Sequence, residues 1–182
     1  MHRAAAGALP GPVLPAVTRP EPPFVGDDRT MLPQWLDYQR ATLLRKCQLL
    51  DGDALARRSV PPSPITLLGI VRHMTLVEWS WFERVFAATG SAQPFSTEHD
   101  PDADWNDLDP AQAMEDIERF QRQCEISREI VAVTQSMDQL AEKSRFGAMS
   151  LRWIMVHMIE EYARHNGHAD FLRELIDGEV GE

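Results

Sequence analysis

The 182-residue chain carries 28 Asp and Glu against 18 Lys and Arg, a net charge of -10, which leaves no basic face for a phosphate backbone or an anionic lipid surface. Cys47 and Cys124 lie far apart at apolar helical positions without CxxC spacing, so two core thiols in a reducing cytoplasm are expected rather than a disulfide or redox pair. No apolar run reaches the length of a membrane span, and a chain of this size buries a core without a metal staple, so any metal it holds is functional.

Residues 1 to 28 are rich in Ala, Gly and Pro, with apolar stretches broken at Pro10, Pro12, Pro15 and Pro20. This composition predicts a disordered tail and lacks the continuous apolar core of a signal peptide. A first helix is expected over residues 30 to 50, capped by Thr30, with Leu32, Trp35, Leu36, Leu43, Leu44, Cys47 and Leu50 in one stripe. Pro61, Pro62 and Pro64 enforce a turn. A second helix over 65 to 88 follows, with Leu67, Ile70, Val71, Met74, Val77, Trp81, Phe82 and Val85 on a broad face. Glu78 falls inside that face, and an arginine such as Arg152 is its expected ion-pair partner.

Residues 90 to 109 read as a long connection without periodicity. The third helix starts near Pro110 with Asp109 as N-cap, and the fourth runs from Ser150 to about Ile176, stopping at Asp177 and Gly178. Four amphipathic helices imply an all-α four-helix bundle over residues 29 to 182. The short first and third connections and the long second one give up-down-down-up order.

The last helix places polar residues oddly. Glu161, His165 and His168 lie within or beside its apolar stripe, where an uncompensated carboxylate costs several kcal/mol. Glu161 and His165 are four residues apart, so both side chains reach one ion from one helix face. His73, the only histidine on the second helix, is the candidate third ligand. Separately, each of these has a bland reading: a local Glu–His ion pair, or a hydrogen-bonded rim histidine. His157 and His168 lie one turn to either side as alternative ligands, with His168 the candidate acid/base catalyst or fourth ligand. Trp35, Trp79, Trp81 and Trp153 are packing residues first and pocket residues second.

The stretch Glu-Tyr-Ala-Arg-His-Asn-Gly-His-Ala-Asp from Glu161, with Val71-Arg-His-Met and Trp81-Phe on the second helix, resembles the actinobacterial mini-circle-protein branch of the DinB-like superfamily. The resemblance implies an up-down-down-up bundle with one histidine of the second helix and two ligands of the last helix on a metal. Where many DinB-like proteins have His-x-x-x-His, this chain has Glu161 and His165. The His, Glu, His set is similar to that of mycothiol-dependent maleylpyruvate isomerase, which carries ligation onto His73, Glu161 and His165. Zinc is the first choice of divalent metal, with nickel or iron next. Two imidazoles and one carboxylate leave about one positive charge and open positions for a thiolate.

Lysine occurs only at Lys46 and Lys143 while arginine is abundant, as in high-GC genomes, whose organisms often use mycothiol. The resemblance thus implies a metal-dependent thiol S-transferase, mycothiol-type, acting on an electrophilic small molecule and forming a homodimer. The alternative is a non-catalytic metal or small-ligand binding stress-response protein. A two-His-one-carboxylate iron oxygenase ranks last.

Overall fold

Asp27 opens the first helix: its carboxylate accepts from the Thr30 amide at 2.9 Å, and α1 runs Asp28–Cys47 in the computed structural model, which describes residues 11–95, 99–145 and 147–181. Thr30, expected as the cap, is instead the residue whose amide is capped. Leu36, Arg40, Leu43 and Cys47, spaced by three and four, form the buried face of α1. Trp35 does not belong to it, being 41% exposed with its edge on Tyr38.

A single turn, α2 (Gly52–Leu55), follows, and a Cβ at Gly52 would lie 1.9 Å from the Pro110 carbonyl oxygen. Only glycine permits that approach. Thr66 caps α3 (Leu67–Glu78), which continues as a π-helix over Trp79–Phe86 rather than as one uniform helix. The wider turns, with the Ala87 amide bonded to the Phe82 carbonyl at 2.9 Å, bring Phe82, Glu83 and Phe86 inward below Glu78.

The connection expected to be featureless contains a one-turn helix, α4 (Ala103–Asn106). Arg72 holds it to α3, donating to the carbonyls of Ala103 and Asp104 at 2.9 and 3.2 Å and to the Asp116 carboxylate at 3.0 Å. As expected, Asp109 caps the next segment, a 3₁₀ turn (Pro110–Gln112) leading into α5 (Ala113–Val133). Ser150 caps α6 (Leu151–Asp177), and Gly178 ends it at φ 85°.

The fold is all-α: among the described residues the only β pairing is an isolated bridge between Leu140 and Ser150. α6 packs along α1, α3 along α5, and α6 also meets α3. At the centre the four long helices each contribute one residue to a polar cluster. Arg40 of α1 grips the Glu78 carboxylate at 2.8 and 2.7 Å, Tyr162 of α6 donates to it at 2.7 Å, and the Cys124 thiol of α5 lies 4.0 Å away. Arg40 therefore takes the place expected for Arg152, which pairs at the surface with Asp28 and Asp138.

Cys47 and Cys124 are free and buried, and burial pushes both thiols up to about 12. Part of residues 11–27 packs against the bundle, while Phe24 and Val25 are exposed. Leu14 is buried in the core, its carbonyl accepts from the Leu49 amide at 2.7 Å, and the Val17 amide donates to Gln48 at 2.8 Å. The first ten residues of the expected tail lie outside the described residues. None of the described helices is long and apolar enough to cross a membrane.

Candidate metal centre

Three elements converge beside the α3–α6 contact. From α3, His73 projects toward α6 and is partly covered. From the connecting segment, α4 supplies Asp104 and Trp105. From α6, Glu161 and His165 face the same space one turn apart, with side chains 19% and 12% exposed.

His73 Nδ1 lies 2.9 Å from the Asp104 carboxylate, which is almost fully buried, and its ring packs on Trp105 at 4.6 Å. An ionised carboxylate accepts only, so His73 donates from Nδ1 and Nε2 is the nitrogen left to meet a ligand. The His73 and His165 ring centroids are 4.9 Å apart. His165 Nε2 is 3.7 Å from a Glu161 oxygen, while its Nδ1 is buried without a hydrogen-bond partner. Burial first, then His73, His168 and Arg164, lower the His165 imidazolium to about 4, so the ring is neutral at pH 7. A neutral imidazole with a buried, unpartnered nitrogen suits a metal or a bound polar group.

His157 lies one turn before Glu161, between Trp81 at 4.6 Å and Trp153 at 5.0 Å. Its Nε2 is 3.5 Å from the second Glu161 oxygen, so Glu161 stands between His157 and His165. His157, Glu160 and Glu161 offer ligand atoms that all lie within 4.8 Å of one another. This set overlaps the expected one only at Glu161. It arises from a single helix and includes exposed Glu160, whereas His73 and His165 come from different helices with a buried orienting carboxylate. His168 is exposed, its ring 5.5 Å from that of His165.

The buried stripe of α6 is Ile154, Met158, Tyr162, Asn166 and Ala169, with Glu161 and His165 on its flank rather than at its centre. That flank faces α3 and α4. A family model described as mycothiol-S-transferase matches residues 31–178. The chain belongs to the mycothiol-S-transferase family. No curated protein and no solved structure matches it.

Within this member of the mycothiol-S-transferase family, Asp104 and Trp105 are the neighbours of the cluster that sequence reasoning misses. Their one available signal is an Asp-Trp pair inside an otherwise polar connection, and it becomes meaningful only once α4 is seen against His73. A groove of about 490 Å³ lined by Asp37, Arg40, Leu44, Phe120 and Arg128 opens between α1 and α5, and it shares no residue with the His73–Glu161–His165 cluster.

Proposed function

We propose that the chain is a metal-dependent, mycothiol-type thiol S-transferase acting on an electrophilic small molecule, with His73, Glu161 and His165 as metal ligands. The observation that carries this reading is the approach of His73, oriented by buried Asp104, to neutral His165, whose Nε2 lies 3.7 Å from Glu161, in a chain of the mycothiol-S-transferase family. A divalent ion bound by these residues, zinc first and nickel or iron next, supplies the Lewis acidity that keeps a thiol deprotonated near neutral pH. Asp104 fixes the His73 tautomer and ring plane. Trp105 covers the rings from one side and limits water. His168, exposed at the rim, is placed to pass a proton between the site and solvent.

In the reaction the thiolate sulfur bonds to an electrophilic carbon. With a halogenated aromatic, a C–S bond forms, the C–Cl bond breaks and chloride leaves with the electron pair. The test uses zinc-loaded protein with mycothiol and chlorodinitrobenzene: thioether formation above the uncatalysed rate, lost on metal removal, is expected. If conjugation is not accelerated, and mycothiol leaves the spectrum of the cobalt-loaded protein unchanged, the reading gives way to a non-catalytic metal or small-ligand binding protein of stress response.

Two buried free thiols suit a reducing cytoplasm. Trp153, Val156, Phe171 and Leu175 leave apolar surface on α6, 47% to 69% exposed, for a homodimer contact. Sedimentation as a monomer at micromolar concentration would remove that contact.

A further inference from the structure

Along the contact between α3 and α6, half-buried positions form two facing rows. On α6 they are His157, Glu161 and His165, each four residues after the last, with Trp153 one turn before them. On α3 and the π-helical turns that extend it they are His73, Val77 and Trp81. The rows run antiparallel: the His73 and His165 rings meet at 4.9 Å, whereas Trp81 meets His157 at 4.6 Å and Trp153 at 5.6 Å. Spacing by four stacks side chains on one side of a helix, so both rows border one seam that solvent reaches.

The two ends of the seam differ. At the His73–His165 end, Trp105 of α4 packs 4.6 Å from His73 and 6.2 Å from His165 and covers the imidazoles. At the other end Trp153 stacks on His157 with 20° between the ring planes and is still 47% exposed. Packing on His157 accounts for one indole face, and leaving so large an apolar group half in water is costly. Trp81, His157 and Trp153 brace one another into an aromatic ledge. Each step of four residues rises about 6 Å along α6, so the His157 level is about 6 Å and the Trp153 level about 12 Å from Glu161. An aromatic body of one or two rings spans that interval.

We infer that Trp153, braced by Trp81 and His157, is the specificity-determining side chain for the electrophile. The seam takes a flat, electron-poor arene, its reacting carbon at the Glu161–His165 end and its ring against the indoles. Withdrawing groups that open a ring carbon to a thiolate also strip electron density from the ring face, and such a face is attracted to the electron-rich face of an indole. The property that activates the electrophile is thus the one the ledge recognises. Placement of the reacting carbon rests on the transferase reading above, whereas capture of an electron-poor ring by the ledge stands on its own geometry.

Two measurements tell these apart. Calorimetric titration of the zinc-loaded protein, without thiol, uses 3,5-dinitrobenzamide, which has no leaving group, and cyclohexanecarboxamide, which has the same polar group and no π face. The dinitrobenzamide binds more tightly, W153L weakens it about five- to tenfold, and W153F retains most of the affinity. W35L is the control, since Trp35 is 41% exposed on α1. Equal binding of the two amides, unchanged binding in W153L, or equal losses in W153L and W35L overturns the inference. A loss in W153L that accompanies a change from dimer to monomer also overturns it, because the indole is then covered by a subunit contact.

In the second measurement, mycothiol conjugation of chlorodinitrobenzene is compared with that of iodoacetamide, which is compact and has no ring. In both, the sulfur–carbon bond forms, the halide leaves with the electron pair and the thiol proton passes to solvent. W153L lowers kcat/KM for chlorodinitrobenzene about five- to tenfold, mainly through KM, leaves that for iodoacetamide unchanged and retains one zinc per chain. Equal losses for both electrophiles make Trp153 a support of the metal ligands and overturn the substrate assignment while the transferase stands. If neither is conjugated, the transferase reading and the placement of the reacting carbon fall together, and the titration alone decides ring capture.

Discussion

His73 donates from Nδ1 to the Asp104 carboxylate at 2.9 Å, so a side chain of the connecting segment orients an imidazole of α3. Asp104 also sits at the point where Arg72 fastens α4 to the bundle. Removing its charge leaves the backbone anchors in place but weakens the control of the His73 tautomer. Asp104→Asn is expected to lower metal affinity about 10- to 100-fold with little change in the unfolding midpoint. Competition with a chromogenic chelator measures it, and wild-type affinity in the variant would show that the carboxylate orients nothing that binds metal.

Two overlapping donor sets make opposite predictions. With His73, Glu161 and His165 as ligands, alanine at any of the three lowers bound zinc, and His157→Ala and Glu160→Gln leave one ion per chain. With His157, Glu160 and Glu161, whose ligand atoms lie within 4.8 Å, the dependence reverses at every residue except Glu161. Elemental analysis of the five variants decides between them, and the bundle survives each change because its core lies elsewhere.

The central ion pair sets a third expectation. Arg40 and Glu78 are buried and joined by two hydrogen bonds, and Tyr162 satisfies the same carboxylate. Glu78→Ala leaves the buried Arg40 guanidinium with only the partly exposed Asp37, 2.9 Å from Nη1, as counter-ion and is expected to cost up to about 3–5 kcal/mol in urea unfolding. Tyr162→Phe removes a single donor to a charged acceptor and costs about 1–3 kcal/mol. Arg152→Ala, at the surface, shifts the midpoint far less. Equal effects at Glu78 and Arg152 would contradict the assignment of Arg40 as partner.

These cases show which features local sequence encodes. Ser150, Gly178 and the spacing of Glu161 and His165 belong to one helix, where capping chemistry and helical periodicity fix the outcome within a few residues. Asp109 before Pro110 is legible for the same reason. The partner of Glu78 is not, because the register between helices decides whether Arg40 or Arg152 reaches it. α4 escapes notice because one turn has no periodicity, and its order comes from Arg72, 31 and 32 residues from the carbonyls it bonds. The π-helical segment carries the apolar spacing of an ordinary helix, so only the hydrogen bonds of the fold distinguish it.

The cysteines supply a prediction in pH. Burial, the largest cause at both, raises each thiol from the ordinary 9.0 to about 12; Glu78 adds to the effect at Cys124, while Arg173 opposes it at Cys47. The thiol form is thus favoured by folding, and at pH 8 the folded protein holds about a thousandfold less thiolate than an ordinary cysteine. Iodoacetamide is expected to leave both unmodified at pH 8 on the timescale that alkylates the urea-unfolded chain. The rate rises with pH because thiolate increases tenfold per unit below the thiol's own value. Rapid alkylation of Cys124 at pH 8 with the fold intact would show that the α1–α5 groove opens to the core. It would also make that thiol a competitor to the exogenous one.

His168 separates proton handling from metal binding. It is exposed and lies next to His165, with ring centroids 5.5 Å apart, while the atoms assigned to the ion come from His73, Glu161 and His165. A rim histidine can exchange protons with solvent and pass them inward, which suits the uptake of the thiol proton when the thiolate forms. His168→Ala is therefore expected to retain one zinc per chain and to lower kcat about 100-fold with a smaller change in KM. Exogenous imidazole should restore part of the rate, since a small base can occupy the space that the side chain vacates. If the variant instead loses zinc, His168 is a fourth protein ligand, the site is coordinatively closed, and a structural or sensing role replaces the catalytic one. If zinc and rate are both unchanged, the proton leaves by another route. His157, the other partner of Glu161, is then the residue to substitute next.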